Sequence, residues 1–292
     1  MNVVPLSAAR KRCSTSSAPK QPMLQRSFDL LSLIDPCRIA LEILYSNVAE
    51  RQSFMVRLRE FVASDDALPR IVNVRGNFLN YESESFVPPQ LDLAKPSLFF
   101  VVGNPAPKSI ALRAMYAHEG AGTERQHRFW KVMHSTGILR FSQHDSDVYQ
   151  PHEKMQRLYA GRYESPFNIH IVPFFSLASP PGGKWAGVAG LRRLFGNEFH
   201  RVVSVELAAV RELIDARMKP GDCLIIFQKD AYMALKPPQA PVYDGSLLKK
   251  SAIVSKYTHD AVDLVCLPPT RLLYSQVTQS VLKGQVGNSH DR

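Results

Sequence analysis

The sequence predicts an α/β protein: three layers, α/β/α, around a central, mostly parallel four-stranded sheet, with additional helices on the N-terminal side. Three observations carry that class. Four short apolar runs, at 97–102, 169–174, 222–227 and 262–267, have the length of strands buried on both faces. Amphipathic segments at 125–135, 152–159, 199–217, 230–235 and 271–283 alternate with them, the pattern of parallel strands linked by crossover helices. Polar turns rich in Pro and Gly close the runs, GNPAP after the first and SPPGG after the second.

Taken in order, residues 1–27 hold Arg10, Lys11, Arg12, Lys20 and Arg26 with no acidic residue, and Ser14, Ser16 and Ser17 between them, which reads as a disordered basic arm. It lacks an apolar run of signal-peptide length, so no secretion signal is expected. Over 28–68 the apolar residues Phe28, Leu30, Leu31 and Ile34, then Ile39, Leu41, Ile43 and Leu44, then Phe54, Met55, Leu58 and Phe61 recur at roughly helical spacing. Two or three helices interrupted near Pro36 are predicted, either covering the core or capping the domain that follows. That domain runs over 69–286, with early strand material at 71–74 and the alternating pattern beyond it.

With 292 residues, 45% hydrophobic and 21% charged, the chain can bury one large core beside its extension. A net charge of +10 suits a polyanionic partner, because cations that neutralise phosphates release counterions. Cys13, Cys37, Cys223 and Cys266 are widely separated and show no metal-ligand spacing; they read as reduced thiols of a cytoplasmic or nucleoid-associated protein. No stretch has the length of a membrane span, and neither a P-loop nor a Gly-Xaa-Gly-Xaa-Xaa-Gly turn is present.

The most informative stretch is LFFVVGNPAPKS, residues 98–109, followed by HRFWKVMHSTGIL, residues 127–139. Leu98 to Val102 form a buried strand, Gly103 permits a tight bend, and Pro105 and Pro107 forbid direct continuation. Asn104 is thereby held at a strand's carboxyl end, where open α/β sheets bind their ligands.

Strand, Asn-Pro turn, polar loop and a helix opening with Arg128-Phe129-Trp130 together resemble the uracil-DNA glycosylase superfamily, nearest its mismatch-specific and single-strand-selective branches. FNIHIVPFFSLASPPGG from Phe167, GDCLIIFQKDAYMAL from Gly221 and LVCLPPTRLLYSQV from Leu264 follow in the order the resemblance requires, so the likeness spans 97–283. It implies that Asn104 positions the attacking water, with Gly103 and Pro105 lining the base site. Registered by Pro173, His170 falls where the single-strand-selective branch reads the uracil edge with an Asn; Asn168 competes if the register slips by two. Tyr116 is the candidate to stack on an extruded base, with Met115 and His118 as competitors, on a loop that also carries Lys108, Arg113, Glu119 and Arg125. Phe129 and Trp130 read as core anchors, and Arg128 as a buried tie or a phosphate contact. Lys184 and Trp185 are candidates to meet the DNA backbone and an unstacked base.

The chain also departs from the family pattern. Val102 stands where the Gly-Xaa-Asn-Pro-Gly motif begins, with Gly103 directly before Asn104. Leu267, Pro268, Pro269, Thr270 and Arg271 stand where members carry His-Pro-Ser or Asn-Pro-Ser, so the His that stabilises the departing base is absent. Thr270 and Arg271 are candidates to bind phosphate, Thr270 alternatively caps the last helix, and Arg271 or Leu272 is placed to fill the gap left by a flipped nucleotide. The resemblance therefore implies a monofunctional DNA N-glycosylase acting as a monomer on DNA, with no metal and no cofactor. Its altered base-reading positions favour a modified pyrimidine, such as the glucosylated hydroxymethylcytosine of phage DNA, over plain uracil. A uracil or thymine mismatch glycosylase and a catalytically inactive DNA-binding protein are the alternatives.

Overall fold

The computed structural model describes residues 24–27, 37–43, 45, 47–88, 91–117, 126–141, 150–257 and 262–290. The arm up to residue 23, the first expected helix at 28–36, and His118, Glu119 and Arg125 lie outside the described residues.

The described residues open with an antiparallel sheet. β1 (Leu24–Ser27) and β2 (Cys37–Glu42) are followed by α1 (Val48–Val62), the short α2 (Leu68–Ile71), β3 (Val72–Arg75) and β4 (Phe78–Ser83). The four strands pair in the order β1-β2-β4-β3. The helices expected over this region are corrected in part. α1 is helical because Phe54, Leu58 and Phe61 bury at a spacing of four and three, and Asn47 caps it by accepting from Glu50 N at 2.9 Å. Residues 37–42 instead obey a period of two: Ile39, Leu41 and Ile43 are buried while Arg38 is exposed. The end of the expected disordered arm, Leu24–Ser27, pairs with β2, and the strand expected at 71–74 belongs to this sheet.

The second half builds the main sheet. In chain order come β5 (Ser97–Val102), α3 (Pro107–Ala111), α4 (Arg128–Thr136), α5 (Pro151–Tyr159), β6 (Asn168–Pro173), α6 (Gly187–Phe195), α7 (Phe199–Asp215), β7 (Cys223–Ile226), α8 (Lys229–Leu235), β8 (Ile253–Lys256), β9 (Asp263–Cys266) and α9 (Gln276–His290). The sheet order is β6-β5-β7-β9-β8; the first four strands are parallel, as expected. The fifth strand, β8, pairs antiparallel on the edge. Its solvent-facing Val254 and Lys256 hide it among loop residues in the sequence.

Alternation along these strands separates the layers. Phe99, Val101, Val172, Leu224, Ile226, Leu264 and Cys266 face α1, α6, α7, α8 and the antiparallel sheet. Leu98, Phe100, Val102, Ile169, Ile171, Cys223, Ile225 and Val265 face α4, α5 and α9. The other edge, β6, is closed by Phe86, which exchanges backbone hydrogen bonds of 2.8 Å in both directions with Ile171. No described helix is long and apolar enough to cross a membrane.

The turn into α6 is packed without spare room. A Cβ on Gly190 would lie 1.9 Å from the carbonyl oxygen of Trp185, whose indole packs edge-on to Phe61 at 5.9 Å. Gly190→Ala is therefore expected to lower the unfolding free energy by about 2 kcal/mol or more. Urea denaturation followed by tryptophan fluorescence measures it, and an unchanged midpoint would contradict this packing.

Candidate active site

The chain leaves β5 for β6 on one side and then crosses to β7 on the other. The winding therefore reverses at β5, and the crevice outside its carboxyl end is where a doubly wound sheet offers a ligand site. Asn104 stands there, half-buried. Its Nδ2 donates to Ser179 Oγ at 2.7 Å and to the Pro105 carbonyl at 3.2 Å. With both amide protons committed, Oδ1 is the acceptor that remains for a ligand or a water.

The loop after β6 makes the other wall. Phe174 N and Phe175 N donate to the carbonyls of Val102 and Gly103 at 2.9 and 3.0 Å, and Ser179 N donates to the Pro105 carbonyl at 3.2 Å. Behind it, Glu206 of α7 accepts from both Ser176 N (2.9 Å) and Ser176 Oγ (2.5 Å). Ser176 Oγ also lies 2.8 Å from Tyr81 Oη, and Ser83 Oγ donates to the Ser176 carbonyl at 2.6 Å. The antiparallel sheet thus buttresses the loop that holds Asn104. On the β7 side, Gln228 caps α8 through Ala231 N and donates to Asp230, which pairs with Arg192 at 3.0 Å.

Tyr116 approaches from the loop after α3 in a left-handed backbone conformation, φ 50°, as does Arg113 at φ 52°. Such conformations cost a non-glycine residue roughly 1–2 kcal/mol. Stacking on Phe129 at 4.3 Å and 15°, and donation from Trp130 Nε1 to the Tyr116 carbonyl at 3.1 Å, hold it there. Phe129 already occupies a ring face, and His127 lies 4.7 Å away, so Tyr116 presents little free surface on which to stack a base. Its competitor Met115 is buried in the core.

Next to Tyr116 stands Glu84, which the sequence did not single out. The antiparallel bridge of Phe86 to Ile171 brings Glu84 to the carboxyl end of β6, on the face shared with Phe86. Although the residue is partly exposed overall, its Oε2 is buried and no described residue hydrogen-bonds it. Burial pushes this carboxyl up to about 8. Burial, reinforced by the nearby Glu84 charge, also pushes the Tyr116 phenol above its ordinary value. In YESESF, Glu82 and Glu84 look alike, both on a polar face; only the pairing at the β6 edge separates them.

No protein-family model matches this chain, and comparison with curated proteins finds no match either. The site therefore stands on its own geometry.

Several expected site residues prove to do other work. His170 is fully buried in mid-strand, stacked on Phe99 at 3.9 Å and 5°, and among the described residues neither ring nitrogen has a hydrogen-bond partner. It lies three positions before Pro173, which places it about 10 Å below the crevice. Asn168 lies at the amino end of β6 with its amide satisfied by Asp92 N, the Asp92 carbonyl and the Lys95 carbonyl. Lys184 pairs with Glu60 at 2.7 Å, and Trp185 is core. The last helix begins at Gln276 and is capped by Ser275, not by Thr270, which instead opens a 3-10 turn, Thr270–Leu272. Gly103 has no left-handed backbone; a Cβ there would meet Gln228 Cγ at 3.6 Å, an ordinary contact.

The other candidates take the following positions. Phe129 and Trp130 are core anchors. Arg128 ties α4 to the loop after β9 by donating to the Arg271 carbonyl at 2.8 Å. Lys108, Arg271 and Leu272 are exposed around the carboxyl edge. Cys223 and Cys266 are buried.

His170 has a measurable consequence. Burial, with the Arg217 cation adding to it, pushes the imidazole down to about 3, against 6.5 when unfolded. The unfolded chain then binds the extra proton between those values, so stability is full above pH 6.5 and falls as pH drops towards 3. Between pH 7 and 4 wild type should lose on the order of 3 kcal/mol more than His170→Phe. Parallel urea curves at both pH values test this; equal losses in the two proteins would refute it.

Proposed function

We propose that this protein is a monofunctional DNA glycosylase that hydrolyses the N-glycosidic bond of a flipped-out base, a modified pyrimidine rather than plain uracil. The observation that carries the reading is Asn104: an amide with both protons tied down and its Oδ1 left over, at the carboxyl end of the strand where the sheet's winding reverses. Breaking the bond builds positive charge on the sugar and negative charge on the base, so a catalyst gains most by fixing water at C1′ and accommodating the departing base. Oδ1 accepts from such a water and orients its lone pair without being a strong base. Arg271 and Leu272, exposed on the turn after β9, are placed to fill the space a flipped nucleotide vacates. Lys108, Thr270 and Arg128 border the same edge, and the net charge of +10 suits duplex DNA as the partner of a monomer.

The distance of His170 and Asn168 from the crevice leaves no Asn or His in the expected base-reading position. That weakens the uracil reading and is also what a catalytically inactive DNA-binding protein would show. One panel separates these: base release, read by alkali cleavage at abasic sites, from duplexes with uracil, guanine-thymine mismatches, plain cytosine and glucosylated 5-hydroxymethylcytosine. Release from the modified duplex, reduced by Asn104→Ala on the order of a hundredfold or more, is expected. Release of uracil alone would select the repair reading. No release from any duplex, with equal DNA affinity for both proteins, would make this an inactive binder.

A further inference from the structure

We propose that Glu84 is the acid that protonates the departing base in the crevice opened by Asn104, and that it suits the site to a cytosine ring. The assignment rests on the glycosylase reading and goes beyond it. Glu84 and Asn104 flank the same loop at the carboxyl edge of neighbouring strands: Ser83, beside Glu84, donates to the Ser176 carbonyl, while Asn104 donates to Ser179 Oγ. Tyr116, from the loop after α3, stands close enough to feel the Glu84 charge. Among the described residues no donor reaches Glu84 Oε2, although the other buried acids are well supplied: Glu206 accepts twice from Ser176, and Asp222 accepts from Ser97 N and Lys219 N. A buried carboxyl oxygen that no donor reaches favours the protonated acid, and that proton is available to a ligand.

The chemistry gives that proton a use. Uracil can leave as its anion, but the cytosine anion is a much stronger base, so a cytosine ring needs a proton at N3 or O2 as it departs. The C1′–N1 bond breaks with its electron pair going to the base, and the Glu84 proton goes to the ring. The oxygen of water bonds to C1′, and the proton that water loses restores the Glu84 acid. Glu84 thereby takes the place of the His missing from residues 267–271. A substituent at C5 of cytosine leaves N3 and O2 free for this contact.

Among the described residues, the titratable groups around Glu84 are the Tyr116 phenol, His127 beside Tyr116, and Tyr159 of α5, whose hydroxyl donates to the Ser85 carbonyl at 3.1 Å. Burial raises the Tyr116 phenol further above its ordinary value, so it stays protonated across the range in which Glu84 titrates.

The test is single-turnover release of glucosylated 5-hydroxymethylcytosine from duplex DNA over pH 5–10, for wild type, Glu84→Gln and Asn104→Ala. The wild-type rate should be flat near neutrality and fall about tenfold per pH unit above about pH 8. Glu84→Gln should lose that alkaline limb and react on the order of a hundredfold slower at pH 7; a retained limb, or a rate within threefold of wild type, overturns the assignment. Carboxyl carbon NMR of the wild-type protein does not depend on how the variant folds: Glu84 should titrate near pH 8, and a midpoint below 5 overturns the assignment as well. Asn104→Ala should be slowed at every pH with its alkaline limb kept. Wild type that releases no base at all would overturn the glycosylase reading itself, whereas release with an unchanged Glu84→Gln profile overturns only the role of Glu84.

Discussion

The carbonyls of Val102, Gly103 and Pro105 accept from Phe174 N, Phe175 N and Ser179 N, carrying the β5–β6 ladder past the end of both strands. On this continuation the candidate site depends. The loop at 174–179 is buried throughout, and a buried backbone group left without a partner costs about 1–3 kcal/mol. With Glu206 holding Ser176 from behind, the loop has one low-energy position, and Asn104 takes its own position from it. Any ligand at the carboxyl edge therefore meets a fixed wall rather than a mobile strap.

The two ends of the sheet treat buried acids in opposite ways. At the amino end Asp222 is raised by burial, yet it accepts from Ser97 N at 2.6 Å and Lys219 N at 2.8 Å and draws β5, β7 and the preceding turn together. Asn168 performs a similar service for the loop at 92–95. At the carboxyl end Glu84 Oε2 receives no such donor from the described residues. Satisfied polar groups add stability, and an unsatisfied one is tolerated at a cost that a bound ligand can offset. The asymmetry matches the general rule that open α/β sheets bind at their carboxyl edge.

How far the site was legible follows from what each residue's role depends upon. Asn104 could be read because its place follows from local chemistry: an apolar run, then a Gly-Asn-Pro turn that ends it. His170 and Asn168 could not, since a strand pattern tells which face a side chain takes but not how far below the strand's end it lies relative to a site built by other strands. Lys184 and Trp185 looked available until α1 folded against them. Glu84 was indistinguishable from Glu82 because nothing local marks the segment that will close the β6 edge. The N-terminal misreading has the same origin: Ile39, Leu41, Ile43 and Leu44 satisfy helical and strand spacing alike, and pairing with β4 decides between them.

By itself, the sequence determined the α/β class, the four parallel strands to within a residue or two, most of the crossover helices and the residue at the end of the first buried strand. Those features follow from hydrophobic period and turn chemistry, which act over a few residues and are written in the chain. The tertiary structure alone decided the antiparallel sheet, the edge strand β8, the burial of His170 and the place of Glu84 at the carboxyl end of β6. Each of these depends on contacts between segments tens of residues apart, where a residue's environment is set by its partners and not by its neighbours.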